Sequence, residues 1–167
     1  MPDAGIIGLA DWIASTSLSH AIGMRLWAIP TIQSVHIMSL AIVLASAVVV
    51  DFRILGLMST DQPLSAMARR YFPGVWIALV FATISGLLLL IAEPVRSLPT
   101  WEFQGKMASL LAVVIITVTF QRTISARAAE WDAAPALPAV ARLAAVVSIA
   151  LWIVIIFGGR WIAYHAG

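Results

Sequence analysis

The sequence predicts an all-α fold: an integral membrane four-helix bundle with a short interfacial N-terminal helix. Three observations carry this. Hydrophobic residues make up 62% of the 167 positions and charged residues only 11%, whereas a soluble domain is about 45–50% apolar and about 25% charged. The apolar residues gather in four runs, each close to the roughly 20 residues that a helical span requires. Within each run they are continuous, without the period-two alternation of a membrane barrel.

Residues 1–28 come first. Ile6, Ile7, Leu9, Trp12 and Ile13 are interspersed with polar residues, and Asp11, Ser15, Ser17, Ser19 and His20 interrupt any run long enough to span. Asp3 and Asp11 near the front, with no basic start, do not read as a signal peptide. One or two short helices lying in the membrane interface are expected instead. The first span is expected at 29–50, uncharged except for the titratable His36, with Pro30 in its first turn. Pro73 and Gly74 are expected to open the second span, 74–92, and Pro94 and Pro99 to close it and shape the next loop. The third, 107–121, is short, and Lys106 and Arg122 at its ends would snorkel to lengthen it. Pro135 and Pro138 precede the fourth, 143–164. No repeat or second domain is visible, so residues 1–167 read as a single membrane domain.

Of the ten basic residues, Arg53, Arg69, Arg70, Arg122, Arg127 and Arg142 fall in the first and third loops, and Arg25, Arg96, Lys106 and Arg160 on the opposite side. An excess of Lys and Arg marks cytoplasmic loops, which predicts a multi-pass protein of the bacterial inner membrane with both termini periplasmic. A net charge of +2, spread along the chain, excludes a nucleic-acid surface. The absence of cysteine removes disulfides, thiol nucleophiles, iron–sulfur clusters and thiolate zinc sites. There is no Gly-rich phosphate loop, Ser/His/Asp set, paired carboxylate or HExxH motif, so hydrolytic and nucleotide-driven chemistry has no machinery. At the cytoplasmic end, Asp51 and Arg53 are expected to pair with each other or with lipid headgroups.

Depth along the spans singles out one level. His36 lies about six residues inside Pro30, roughly 9 Å at 1.5 Å per residue. Gly86, Gly158 and Gly159, and Ala108 with Ser109, fall at nearly the same depth in the other three spans. Small residues in membrane helices ordinarily serve close packing, and the pairs Ala41/Ala45 and Ala82/Gly86 have that spacing. The alternative is space for a flat, bulky cofactor beside a nitrogen ligand. An ionisable residue within a span is a functional hypothesis by default, and neutral imidazole is a common axial ligand of haem iron. His36 is therefore the candidate haem or metal ligand, against a neutral imidazole hydrogen-bonded to a neighbouring helix or a proton relay. Lys106 and Arg160, with Arg96 nearby, would hold haem propionates through charge-assisted bonds, or act as interfacial anchors alongside Trp101, Trp161 and Tyr164. The candidates for a second ligand are His20 and His165, or Met38 and Met107. The cofactor-binding set is thus His36, Gly86, Lys106, Gly159 and Arg160.

The segment from Ile32 through His36 to Leu40, followed by Val50-Asp51-Phe52-Arg53 and Gly56, resembles the first span of small bacterial four-helix membrane proteins of the copper-resistance-D-like group. Arg69-Arg70-Tyr71-Phe72-Pro73, Ser85-Gly86, Phe103-Gln104-Gly105-Lys106 and Gly159-Arg160-Trp161 are also similar, covering about residues 17–164. A more distant likeness is to the haem-containing protoporphyrinogen oxidase HemJ, which implies a haem-ligand role for His36 and a pocket-rim role for Lys106. This chain departs from HemJ through the spans, so the oxidase activity is not implied. Its six methionines are scattered, without the Met/His cluster that a soft copper ion prefers. The expectation is a b-type haem protein passing electrons to or from quinone or a periplasmic redox protein. The alternatives are copper or small-solute transport, and an accessory subunit of a larger membrane complex or homo-oligomer.

Overall fold

The computed structural model describes residues 4–161. Among them every regular element is a helix: α1 (Ala4–Ala14), α2 (Ser17–Gly23), α3 (Ala28–Leu55), α4 (Leu64–Ala92), α5 (Pro94–Ser97), α6 (Trp101–Ala126), α7 (Ala128–Ala133) and α8 (Ala139–Trp161). The helices α3, α4, α6 and α8 are each long and apolar enough to cross a membrane. The chain is a multi-pass all-α membrane protein.

The bundle is assembled from two antiparallel hairpins. The α3–α4 and α6–α8 pairs pack most extensively, and α8 also lies along α3. Lipid tails are as apolar as leucine, so membrane helices associate through close packing and hydrogen bonds rather than by escaping water. Helix α4 is built for this. Gly74, Ala78, Ala82 and Gly86 recur every four residues and form one small-residue stripe. A Cβ on Gly74 would stand 3.3 Å from Ser46 Oγ of α3, tighter than an ordinary van der Waals contact. The core between the hairpins contains Val43, Ala47, Val50, Phe72, Val75, Val113, Phe120, Ala145, Trp152 and Ile155. Two buried hydroxyls inside the spans bond within their own helix: Ser39 donates to the Val35 carbonyl and Thr117 to the Val113 carbonyl, both at 2.8 Å.

Helix ends follow their local chemistry. Gly56, at φ 76°, terminates α3 in a left-handed turn. Its N–H donates to the Arg53 carbonyl and that of Leu57 to the Phe52 carbonyl, the paired bonds of a Schellman cap. Pro63, at the start of α4, offers no capping side chain. Asp132 of α7 supplies the cap from a distance: the Ser65 N–H donates to Oδ1 at 2.9 Å and the Ser65 hydroxyl to Oδ2 at 2.6 Å. A carboxylate is favoured at this positive helix end. Partial burial opposes ionisation of Asp132, but hydrogen bonds from Ser65 and Leu64, with Arg53 nearby, outweigh it and hold the carboxyl below the ordinary aspartate range.

Helices α4 and α6 depart most from the expected bounds. Helix α4 begins at Leu64 and runs through Pro73, ten residues before the anticipated start. Leu64, Met67, Ala68 and Phe72 are buried, and their packing holds the turn together despite the backbone bond that proline removes. Helix α6 extends from Trp101 to Ala126, because Thr100 caps it at Phe103 and polar residues continue it beyond the apolar run.

The N-terminal segment forms two short helices, as expected. Thr16 caps α2 by accepting from the Ser19 N–H. Helix α1 packs on α5 and α4, and α2 on α4 and α3, while Ile7, Leu9, Trp12 and Leu18 remain exposed.

Candidate functional site

The structure brings the four spans together at the level of His36. On the α3–α4 side, the His36 ring lies against Gly86: a Cβ there would stand 3.1 Å from Cε1 and 3.6 Å from Nδ1. Gly86 is thus the position where the small-residue stripe admits an imidazole. His36 Nδ1 lies 3.0 Å from Ser85 Oγ, and Ser85 Oγ lies 2.6 Å from the Phe81 carbonyl and 3.2 Å from that of Ala82. With the single Ser85 proton given to one of those carbonyls, its oxygen is left to accept from His36 Nδ1–H. That assignment leaves the lone pair on Nε2, the arrangement that a hydrogen-bonded orienting group imposes on ligating histidines.

On the α6–α8 side, Lys106 crosses to Gly159, where a Cβ would meet Nζ at 3.3 Å. The ammonium bears electrostatically on the His36 ring, linking the two hairpins. One turn earlier on α6, Glu102 is buried, and its backbone carbonyl is 3.8 Å from where a Gly158 Cβ would be. His36 with Gly86 and Lys106 with Gly159 therefore form two close contacts, near enough for the Lys106 charge to act on the ring. The space left by the two glycines is taken by the His36 ring and the Lys106 side chain themselves.

The remaining candidates lie elsewhere. Arg160 is exposed at the end of α8, and His20 is exposed on α2. Arg96 pairs with Glu93 at 3.1 Å. Met38 is 66% exposed and Met107 is also exposed, so both thioethers face outward. Trp101 is exposed, as an interfacial anchor would be. His165 and Tyr164 lie outside the described residues. Among the described residues no three His, Cys, Asp or Glu side chains converge as a metal-binding group. Haem iron needs only one or two protein ligands.

Sequence reasoning missed three features. Ser85 is the orienting partner of His36, and its position immediately before Gly86, within the stripe, was the available signal. Gln121, at the end of an apolar run, accepts from Trp76 Nε1–H at 2.7 Å across α4 and α6. Asp51 does not pair with Arg53, because residues two apart point to nearly opposite sides of a helix. It turns inward, 3% exposed, to a hydrogen bond with Ser148 of α8, itself 2% exposed. Arg53 instead donates from Nε and Nη2 to the Gln62 carbonyl at 3.0 and 2.9 Å, closing the α3–α4 loop.

No curated protein and no solved structure matches the chain. The signature described as "Family of unknown function (DUF6644)" matches residues 10–165, which takes in the end of α1, all of α2, the four spans and the residues around His36. The chain belongs to that family.

Proposed function

We propose that the protein is a membrane-bound b-type haem protein of the bacterial inner membrane, with His36 as the axial ligand. The observation that supports it most is the hydrogen bond between His36 Nδ1 and Ser85. It orients an imidazole inside a four-helix bundle and keeps the Nε2 lone pair available. Lys106 is the nearest candidate to bind a propionate, and Arg160 the second, at the end of the neighbouring helix. The atoms nearest Gly159 are the far end of the flexible Lys106 side chain rather than backbone, so haem would enter by displacing that side chain. Bound haem would supply a one-electron couple. The chain's own residues hold the ring, neutralise the propionates and exclude water.

In this reading the termini are periplasmic, and electrons pass to or from quinone or a periplasmic redox protein. A homo-oligomer or larger membrane complex is compatible with it. The test is the visible spectrum of the protein purified in detergent after expression with ample haem, oxidised and reduced. The expected result is a haem spectrum that is lost in His36→Ala. In Ser85→Ala the haem is retained about 10–100-fold more weakly, the usual cost of removing a ligand's orienting partner. A colourless wild-type protein overturns the proposal. An unchanged spectrum in His36→Ala moves the ligand to another residue.

A further inference from the structure

At the opposite end of the bundle, where α7 caps α4, the helices α4 and α6 stand apart. Two adjoining hollows of about 640 and 410 Å³ open between them, sharing Gln121 and Ser125. We propose that this groove binds the phosphate of an anionic phospholipid, whose acyl chains run along the bundle into the membrane.

The polar side chains that line it are those of Arg69, Gln121, Arg122, Ser125 and Ser65. Gln121 Oε1 is occupied by Trp76 Nε1–H, which turns the Gln121 amide N–H groups away from Trp76. Arg122 lines one hollow, Arg69 the other, and Ser125 both. Guanidinium groups donate and never accept, and they match phosphate oxygens in a two-pronged geometry. Asp132, on the adjacent α7, is committed to Ser65 at the head of α4. A groove with two guanidiniums, an amide and a hydroxyl attracts an anion.

The depth of the groove selects a lipid over a free anion. Arg69 precedes the apolar run of α4 and Arg122 follows that of α6, so the charges sit at the boundary between apolar core and polar end. Trp76 and Val118 form the wall toward the membrane middle. Basic pockets between spans at this boundary are suited to anionic headgroups. The choline of a zwitterionic lipid would bring a third cation to the two arginines. Pro73 also lines the groove; lacking an N–H, it leaves the Arg69 carbonyl without its helical donor, an acceptor for a headgroup hydroxyl.

The experiment titrates the full-length protein in dodecyl maltoside with phosphatidylglycerol, phosphatidylcholine or inorganic phosphate. It follows thermal stability, and native mass spectrometry counts the lipid retained on folded protein. Saturable stabilisation by phosphatidylglycerol, at least fivefold tighter than by phosphatidylcholine, is expected. Arg69→Gln and Arg122→Gln should each weaken it roughly fivefold, the effect of about 1 kcal/mol per basic residue near a membrane surface. Arg142→Gln, which removes an exposed charge at the same end of α8, should leave it unchanged. Equal responses to the two lipids overturn the proposal. So does an equal loss in Arg142→Gln, which reduces the effect to general charge, and so does displacement by inorganic phosphate, which makes the groove a free-anion site. The mass count on folded molecules separates lost binding from lost folding in any unstable variant.

Discussion

Substitution of Gly86 by alanine tests the packing at the His36 level directly. The new methyl would stand 3.1 Å from His36 Cε1, against an optimal carbon–carbon separation of about 3.5–4.0 Å. Something must give by about 0.4 Å or more. The ring cannot swing aside freely, because its Nδ1 is held by Ser85 at 3.0 Å, a bond contributing about 0.5–1.5 kcal/mol net. Overpacking of this kind costs about 1–3 kcal/mol. Replacing a mid-helix glycine also gains about 1 kcal/mol in helix propensity, so Gly86→Ala alone would understate the clash. Gly105→Ala is the matched control: it lies within α6, and an added Cβ meets nothing within 4 Å. Equilibrium unfolding in mixed detergent and dodecyl sulfate micelles should place Gly86→Ala about 1–3 kcal/mol below Gly105→Ala. Equal stability of the two variants would refute the close approach of His36 to α4, and with it the orientation of the ring by Ser85.

Other expectations follow from the remaining contacts. Asp132→Asn should destabilise the protein by about 1 kcal/mol at neutral pH, the usual worth of an N-terminal cap. The Asp132 carboxyl is held below its ordinary value in the folded state, so its contribution is present above the unfolded value of about 3.9 and is lost as pH falls through the lowered one. The difference between wild type and variant should therefore be constant from pH 7 to about pH 5 and shrink only below about pH 4; a difference already vanishing at pH 6 would exclude this cap. A double-mutant cycle of Trp76→Phe with Gln121→Leu should give a coupling of about 0.6–1.7 kcal/mol, the range of hydrogen bonds between membrane helices; additive variants would show that the bond contributes nothing. Ser148→Ala should cost about 1–3 kcal/mol by leaving the buried Asp51 without its donor, and Asp51→Asn should relieve most of that loss in the double variant.

The spans were legible because membrane insertion is decided by properties of single segments. Length and continuous apolarity suffice for a helix to satisfy its own backbone in lipid, so all four crossings and the two short helices before them could be read in order. The shared level of His36, Gly86 and Gly159, with Lys106 at its rim, could also be counted out, since rise per residue turns position into depth. What depth does not contain is azimuth. Whether Gly86 leaves room for a cofactor or for His36 itself, and whether Asp51 faces Arg53, lipid or Ser148, depends on the rotation of each helix about its axis. That rotation is set by the partner helix.

The ends of α4 and α6 show the same division. Pro73 looked like a start because proline favours a first turn, and the burial of Leu64, Met67, Ala68 and Phe72 extended the helix through it. The cap on α4 comes from Asp132, 67 residues downstream of Ser65, a separation no local motif encodes. By itself the sequence determined that this chain is helical, crosses the membrane four times and carries one histidine at depth. Only the tertiary structure decided which atoms that histidine meets and where polar groups pair across helices, because those depend on how separate helices turn toward each other once packed.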